Sequence, residues 1–219
     1  MIVAAAVCPH PPMLVPEVAS GAADDLTELR QACDDAVDTL LASEPARVVI
    51  IGSGSLAVDR DETAGGTFAD FGVDLHVGGH STELPLSLTV GAWLLARAGW
   101  VGPRTYSTGT PDFEGRVALL VMADGSAKRT TEAPGYFDDR AIAFDTSIAH
   151  ALEVGDAGAL AAIDQDLAVE LWVAGARPLA TLGELVLSGM AKDATITARM
   201  RANVAPLGVG YWVANWAIS

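Results

Sequence analysis

Ile2-Val3-Ala4-Ala5-Ala6-Val7-Cys8-Pro9-His10-Pro11-Pro12-Met13-Leu14-Val15-Pro16-Glu17 is the stretch on which the fold turns. Ile2 to Val7 is a short, unbroken apolar run, the pattern of a strand buried on both faces. Pro9, Pro11, Pro12 and Pro16 argue against a helix after it, because proline lacks an amide hydrogen and holds φ near about −65°. Each also drives the residue before it toward extended geometry. The segment reads as a stiff loop at the end of a buried strand, with one imidazole, His10, held on it. Ligands of open α/β sheets bind at such strand ends, so His10 is the first site candidate.

The segments that follow build the rest of that sheet. Ser20 to Ser43 repeats apolar residues at helical spacing through Leu26, Leu29, Cys33, Val37 and Leu40, and Pro45 stops it. Arg47 to Ile51 is a second buried strand and runs into Gly52-Ser53-Gly54-Ser55. Strand, helix and strand make a βαβ unit, which sets Gly52 to Ser55 near His10 if the two strands are neighbours. Asp59 to Gly72 reads as loop and Val73 to Val77 as a strand. Leu86 to Trp100 is a helix apolar nearly all round, hence buried. Arg104 to Ser107 and Val117 to Met122 are strands, the second ending in Asp124-Gly125-Ser126-Ala127-Lys128. Asp138 to Ser188 is mostly helical, in three pieces broken near Gly155-Asp156 and Gly175 to Pro178. Ala194 to Met200 and Val209 to Ile218 close the chain as strands. The fold expectation is one α/β domain over residues 1–219, with a largely parallel central sheet flanked by helices.

Composition narrows the function classes. The chain carries 28 acidic and 13 basic residues, a net charge of −15. Nucleic acids and anionic membranes select clustered positive charge, so neither is an expected partner. No apolar run approaches the roughly 18 residues of a spanning helix. The N-terminal run lacks the basic flank of a signal peptide. Cys8 and Cys33 make neither a disulfide framework nor a metal-knuckle spacing. The cytoplasm is the expected compartment and a small molecule the expected ligand. A homo-oligomer is admitted, and exposure of Trp212 or Trp216 would point to its interface.

The chemical candidates sit at strand ends. His10 is either a ligand-facing imidazole or a ring stacked on its prolines. His80 follows two glycines, which allow close backbone approach, and either meets a ligand or caps the next helix. His76 and His150 read as strand and helix-surface residues. Ser53 and Ser55 lie on a loop that either cradles an anion with its amides or simply turns. It is neither a Walker loop nor a nucleophile elbow, because Gly-Lys-Ser/Thr and Gly-x-Ser-x-Gly are both missing. Asp124 is a strand-end carboxylate or half of an Asp-Gly turn. Ser126 is a candidate hydrogen-bond partner for substrate. Lys128 is a candidate substrate contact or a solvated side chain.

Taken in order, Cys8 to Glu17 (CPHPPMLVPE), Arg47 to Ser53, Gly79 to Leu86 (GHSTELPL), Met122 to Thr130 (MADGSAKRT) and the helical end give the chain a likeness. It resembles the class III extradiol ring-cleavage dioxygenase superfamily, which includes the protocatechuate dioxygenase catalytic subunit and the Memo proteins. The resemblance implies that fold and an Fe(II) site of two histidines and a carboxylate with open positions for catechol and dioxygen. It makes His10 the first metal ligand. The second would be a histidine where this chain has Gly52 to Ser55. The acid/base histidine would stand at Ala127, and the third ligand near Ala174 to Ala180, where no ligand type occurs. Glu170 and Glu184 lie nearby. Loss of the acid/base alone is worth about 10² to 10⁴ in rate. The expectation is a dioxygenase-like protein that keeps a small-molecule pocket at His10 without competent ring cleavage. The alternative is an active Fe(II)- or zinc-dependent oxidoreductase acting on a catechol, with His10, His80, Asp124 and Ser126 as its machinery. A bound metal and a metal-free site are equal expectations.

Overall fold

Side chains that alternate between two covered faces along the central strands sort the chain into a sheet with a helical layer on each face. The computed structural model describes residues 1–189 and 194–219. The strands are β1 (Ile2–Cys8), β2 (Arg47–Ile51), β3 (Arg60–Asp61), β4 (Gly65–Thr67), β5 (His76–Gly78), β6 (Arg104–Ser107), β7 (Val117–Met122), β8 (Ile196–Val204) and β9 (Tyr211–Ile218). The helices are α1 (Pro16–Ala19), α2 (Thr27–Leu41), α3 (Leu86–Arg97), α4 (Arg140–Val154), α5 (Ala157–Ala161), α6 (Gln165–Glu170) and α7 (Ala176–Gly189).

Seven strands form one sheet in the order β3-β6-β2-β7-β1-β9-β8. Its centre, β6, β2, β7 and β1, is parallel, while β9 runs against β1 and β8 against β9. On one face Ala4, Ala6, Cys8, Val48, Ile50, Leu120 and Met122 pack on α2 and α3. On the other, Ala5, Val7, Val49, Ile51, Leu119 and Val121 pack on α4, α5 and α7. The period of two on strands covered from both sides explains why these segments are unbroken apolar runs in the sequence.

Several sequence expectations are corrected. The proline loop is not free of helix. It contains a 3-10 turn at Pro12–Leu14 and the short α1, each with proline at its first position. There the missing amide hydrogen is not needed and the fixed φ already suits the turn. Ser20–Leu26 is 3-10 helix rather than the start of α2. Asp59 to Gly72 holds β3 and β4, and β4 pairs with β5 as a small hairpin. Gly65 and Gly66 hide β4 from any side-chain pattern, yet a Cβ on either would collide with Ser81 or Thr89. The helical end has four pieces, not three, and Pro178 lies inside the first turn of α7. Trp212 and Trp216 are buried against α4, and the Trp216 indole donates to the Leu152 carbonyl (2.8 Å). They mark no interface.

β1 and β2 are not neighbours, because β7 lies between them. The chain leaves β1 through α2 toward β2, over the first face. It leaves β7 through α4 to α7 toward β8, over the second. Adjacent parallel strands whose connections depart in opposite directions leave a crevice at their carboxyl ends, the usual ligand position in such sheets. His10 follows β1 and Asp124 follows β7, so the two flank that crevice.

Candidate functional site

The crevice is closed at its base by the backbone, where the Ala123 amide donates to the Cys8 carbonyl (2.8 Å). One residue further on, Asp124 leaves the pairing with β1, bridges antiparallel to Tyr211 and uses its side chain. Its Oδ1 accepts from the His10 amide at 2.7 Å, which fixes the proline-rich loop against the end of β7. From behind, the Gly175 amide donates to the Asp124 carbonyl (2.8 Å), so the start of α7 braces the same point. Arg30 of α2 holds the far side of the loop. This nearly buried guanidinium donates to the carbonyls of Leu14 (2.8 Å) and Ala23 (3.1 Å).

The His10 ring is 6% exposed as a residue and lies between two oxygens. Nδ1 is 3.4 Å from Asp124 Oδ1. The ring is not turned to make that contact a hydrogen bond, and Nδ1 has no other partner. Nε2 is 3.4 Å from Ser53 Oγ. Ser53 reaches across the end of β7 because its loop is clamped. Its carbonyl accepts from Ser87 Oγ (2.5 Å), and the Gly52 amide donates to the Ser107 carbonyl (3.0 Å). A Cβ at Gly52 would strike Ser87, and Gly54 (φ +120°) rests on Pro85 in a conformation only glycine takes easily. The loop therefore lies flat on the first turn of α3. The amides of Ser53, Gly54 and Ser55 find no acceptor among the described residues.

Electrostatics follow from burial. Desolvation raises the Asp124 carboxyl above the ordinary range, and the His10 ring and amide partly offset this. The Tyr211 phenol is pushed well up, first by burial and then by the charge of Asp124. It stays protonated as a potential donor beside that carboxylate. Beneath the crevice, Cys8 and Cys33 are buried free thiols, and burial, then contact with Cys8, raises Cys33.

Of the sequence candidates, His10, Asp124 and Ser53 come together. His80 is exposed, with its amide bonded to the Thr63 carbonyl (3.0 Å) and no side-chain tie to His10. Ser55 is exposed on the outer side of its loop. Ser126 is fully buried, and its hydroxyl is already engaged with the Leu171 carbonyl (2.7 Å) and the Lys128 amide (3.1 Å). The Lys128 ammonium lies over the Trp172 ring at 5.4 Å. Glu170 pairs with Arg140 (2.8 Å), and Glu184 is exposed.

Two groups escaped the sequence reading. Tyr211 sits on the α2-facing register of β9, which the alternation along that strand could have shown. Asp145 is 1% exposed on the buried face of α4, in step with Ala141, Ile148 and Leu152. A carboxylate on an apolar stripe was the missed signal. Asp145 Oδ1 accepts from the Ser126 amide (2.9 Å), Oδ2 has no hydrogen-bond partner, and Arg129 is 3.6 Å away. Burial pushes its pKa up to about 6, against the pull of Ser126 and Arg129.

The donor set can be compared with an Fe(II) centre. One imidazole and one carboxylate meet at the crevice, and the carboxylate already holds the His10 amide. Among the described residues no three histidine, cysteine, aspartate or glutamate side chains form a group that could hold a metal ion. The residues present do not make the two-histidine, one-carboxylate set. A groove of about 500 Å³ runs between α2 and β8, lined by Asp25, Glu28, Leu29, Arg201 and Val204. At the His10 strand end the imidazole is nearly buried and Ser53 is half-buried. No helix among the described residues is long and apolar enough to cross a membrane. Set against known proteins, the chain matches no family model and no curated sequence.

Proposed function

We propose that this chain is a class III extradiol dioxygenase-like protein that binds a small molecule at the His10–Asp124 crevice and does not cleave aromatic rings. One observation carries the reading. A single imidazole and a single carboxylate converge where the iron chemistry needs two imidazoles and a carboxylate. Ala127, at the position the resemblance gives to the acid/base histidine, adds to it. The topology supports binding, because the crevice lies where neighbouring strands send their connections opposite ways. The ligand of this reading is small and polar on one edge, to match the His10 imidazole, the Ser53 hydroxyl and the free amides of its loop.

The test pairs two measurements. Protein incubated anaerobically with Fe(II), desalted and given catechol in air should consume no oxygen above a protein-free control. Catechol should shift the His10 ring signals in an NMR titration. Iron held at about one per chain together with catechol-dependent oxygen uptake would establish the active oxidoreductase instead. Unmoved His10 signals would remove the binding site.

A further inference from the structure

We infer that Ser53, His10 and Asp124 form a nucleophile–base–carboxylate relay that cleaves small carboxylic esters. The inference rests on the reading of this strand end as the functional site, but asks for covalent chemistry there. The order of the three groups carries it. Ser53 Oγ is 3.4 Å from Nε2 on one side of the ring, and Asp124 Oδ1 is 3.4 Å from Nδ1 on the other. A base needs its two ring nitrogens divided in this way between nucleophile and carboxylate. Both separations are long for hydrogen bonds and the Asp124 contact is also out of line with the ring nitrogen, as resting catalytic contacts often are before substrate tightens them. Nδ1 is buried with no hydrogen-bond partner among the described residues, and the Asp124 carboxylate 3.4 Å away is placed to orient it. The free amides of Ser53, Gly54 and Ser55 stand beside Oγ, and the loop rests on the first turn of α3. That supplies N–H groups for a developing oxyanion.

The reaction balances with water as the only co-reactant. Ser53 Oγ bonds to the ester carbonyl carbon while its proton passes to His10 Nε2. The carbonyl oxygen becomes an oxyanion facing the loop amides. As the carbonyl re-forms, the bond to the alcohol oxygen breaks, and Nε2 returns its proton to that oxygen. Water, giving a proton to Nε2, then attacks the acylated Ser53 and releases the carboxylic acid, and the proton goes back to Oγ.

Ser53→Ala should fold normally, because the Ser53 carbonyl and not its hydroxyl holds Ser87. Asp124→Asn keeps an oxygen for the His10 amide while losing the charge. The experiment treats wild type, Ser53→Ala, His10→Gln and Asp124→Asn with a fluorophosphonate and with p-nitrophenyl acetate. Labelling is followed by intact mass and site mapping, and folding is checked by circular dichroism. One label at Ser53 is expected in wild type and none in Ser53→Ala. The rate should rise with pH through a single ionisation, and His10→Gln should slow it at least about 100-fold. If His10→Gln does not fold, slowing in Asp124→Asn decides. An unlabelled wild type, a label elsewhere, or a rate indifferent to both His10→Gln and Asp124→Asn overturns the relay. Catechol shifts at His10 without labelling overturn the relay alone. Labelling at Ser53 together with iron-dependent catechol oxidation overturns only the binding reading.

Discussion

Replacing Asp145 by asparagine should change how stability depends on pH more than it changes stability at any one pH. The carboxyl is almost fully buried on α4, and burial lifts its pKa to about 6 from its ordinary value of 3.8. The folded state thus holds the proton more tightly than the unfolded chain does. Between those two values the native state binds more protons, so stability falls as pH rises and the loss is complete above the folded pKa. A shift of about two units at about 1.4 kcal/mol each gives a loss of roughly 3 kcal/mol. Some of that is already lost by pH ~4.5, which leaves about 2 kcal/mol between pH ~4.5 and ~7.5. Asparagine does not titrate, and its oxygen can still accept from the Ser126 amide. Urea unfolding followed by fluorescence of the five tryptophans, run in parallel at several pH values, isolates the effect. The stability of wild type minus that of Asp145→Asn should fall by about 2 kcal/mol across that window. A difference that is flat or rises with pH would refute the reasoning, because it would mean that Arg129 outweighs burial.

Two further variants probe how the site is held. Arg30→Met should cost about 2 to 4 kcal/mol in urea unfolding, because it strips a buried donor from the Leu14 and Ala23 carbonyls. It should also broaden the His10 ring signals, since the loop loses its outer anchor. Trp216→Phe removes the hydrogen bond to the Leu152 carbonyl and some packing beneath α4, and should cost about 2 kcal/mol by the same measurement while leaving His10 undisturbed.

The central strands were legible because covering a strand on both faces writes an uninterrupted apolar run, as in Arg47 to Ile51 and Val117 to Met122. α3 was legible for the same reason. β4 was not, because Gly65 and Gly66 have no side chains to alternate. The order of strands was not legible either. Nothing in residues 2–51 shows that β7 inserts between the first two strands, since that is settled by segments far along the chain. His10 and Asp124 could be named as strand-end residues. Their pairing through the His10 amide could not, because it depends on the register of β1 against β7. Ser126 reads like Ser53 in sequence, a serine after a buried strand. Their surroundings separate them, since the Ser126 hydroxyl is spent on Leu171 and the Ser53 hydroxyl faces a ring nitrogen.

The placement of β1 has a consequence for how the molecule is made. β1 is held between β7, which begins at Val117, and β9, which ends at Ile218. While the ribosome is still producing the middle of the chain, β1 has no partner on either edge. One edge is matched when Val117 to Met122 emerge, and the other only when Tyr211 to Ile218 follow. Contacts of such long sequence separation slow folding and prolong exposure to aggregation. Once β9 docks, however, strands far apart in sequence lock each other in place. The crevice at His10 then inherits the cooperativity of the whole sheet, so a lesion in the final strand should unsettle a histidine two hundred residues away.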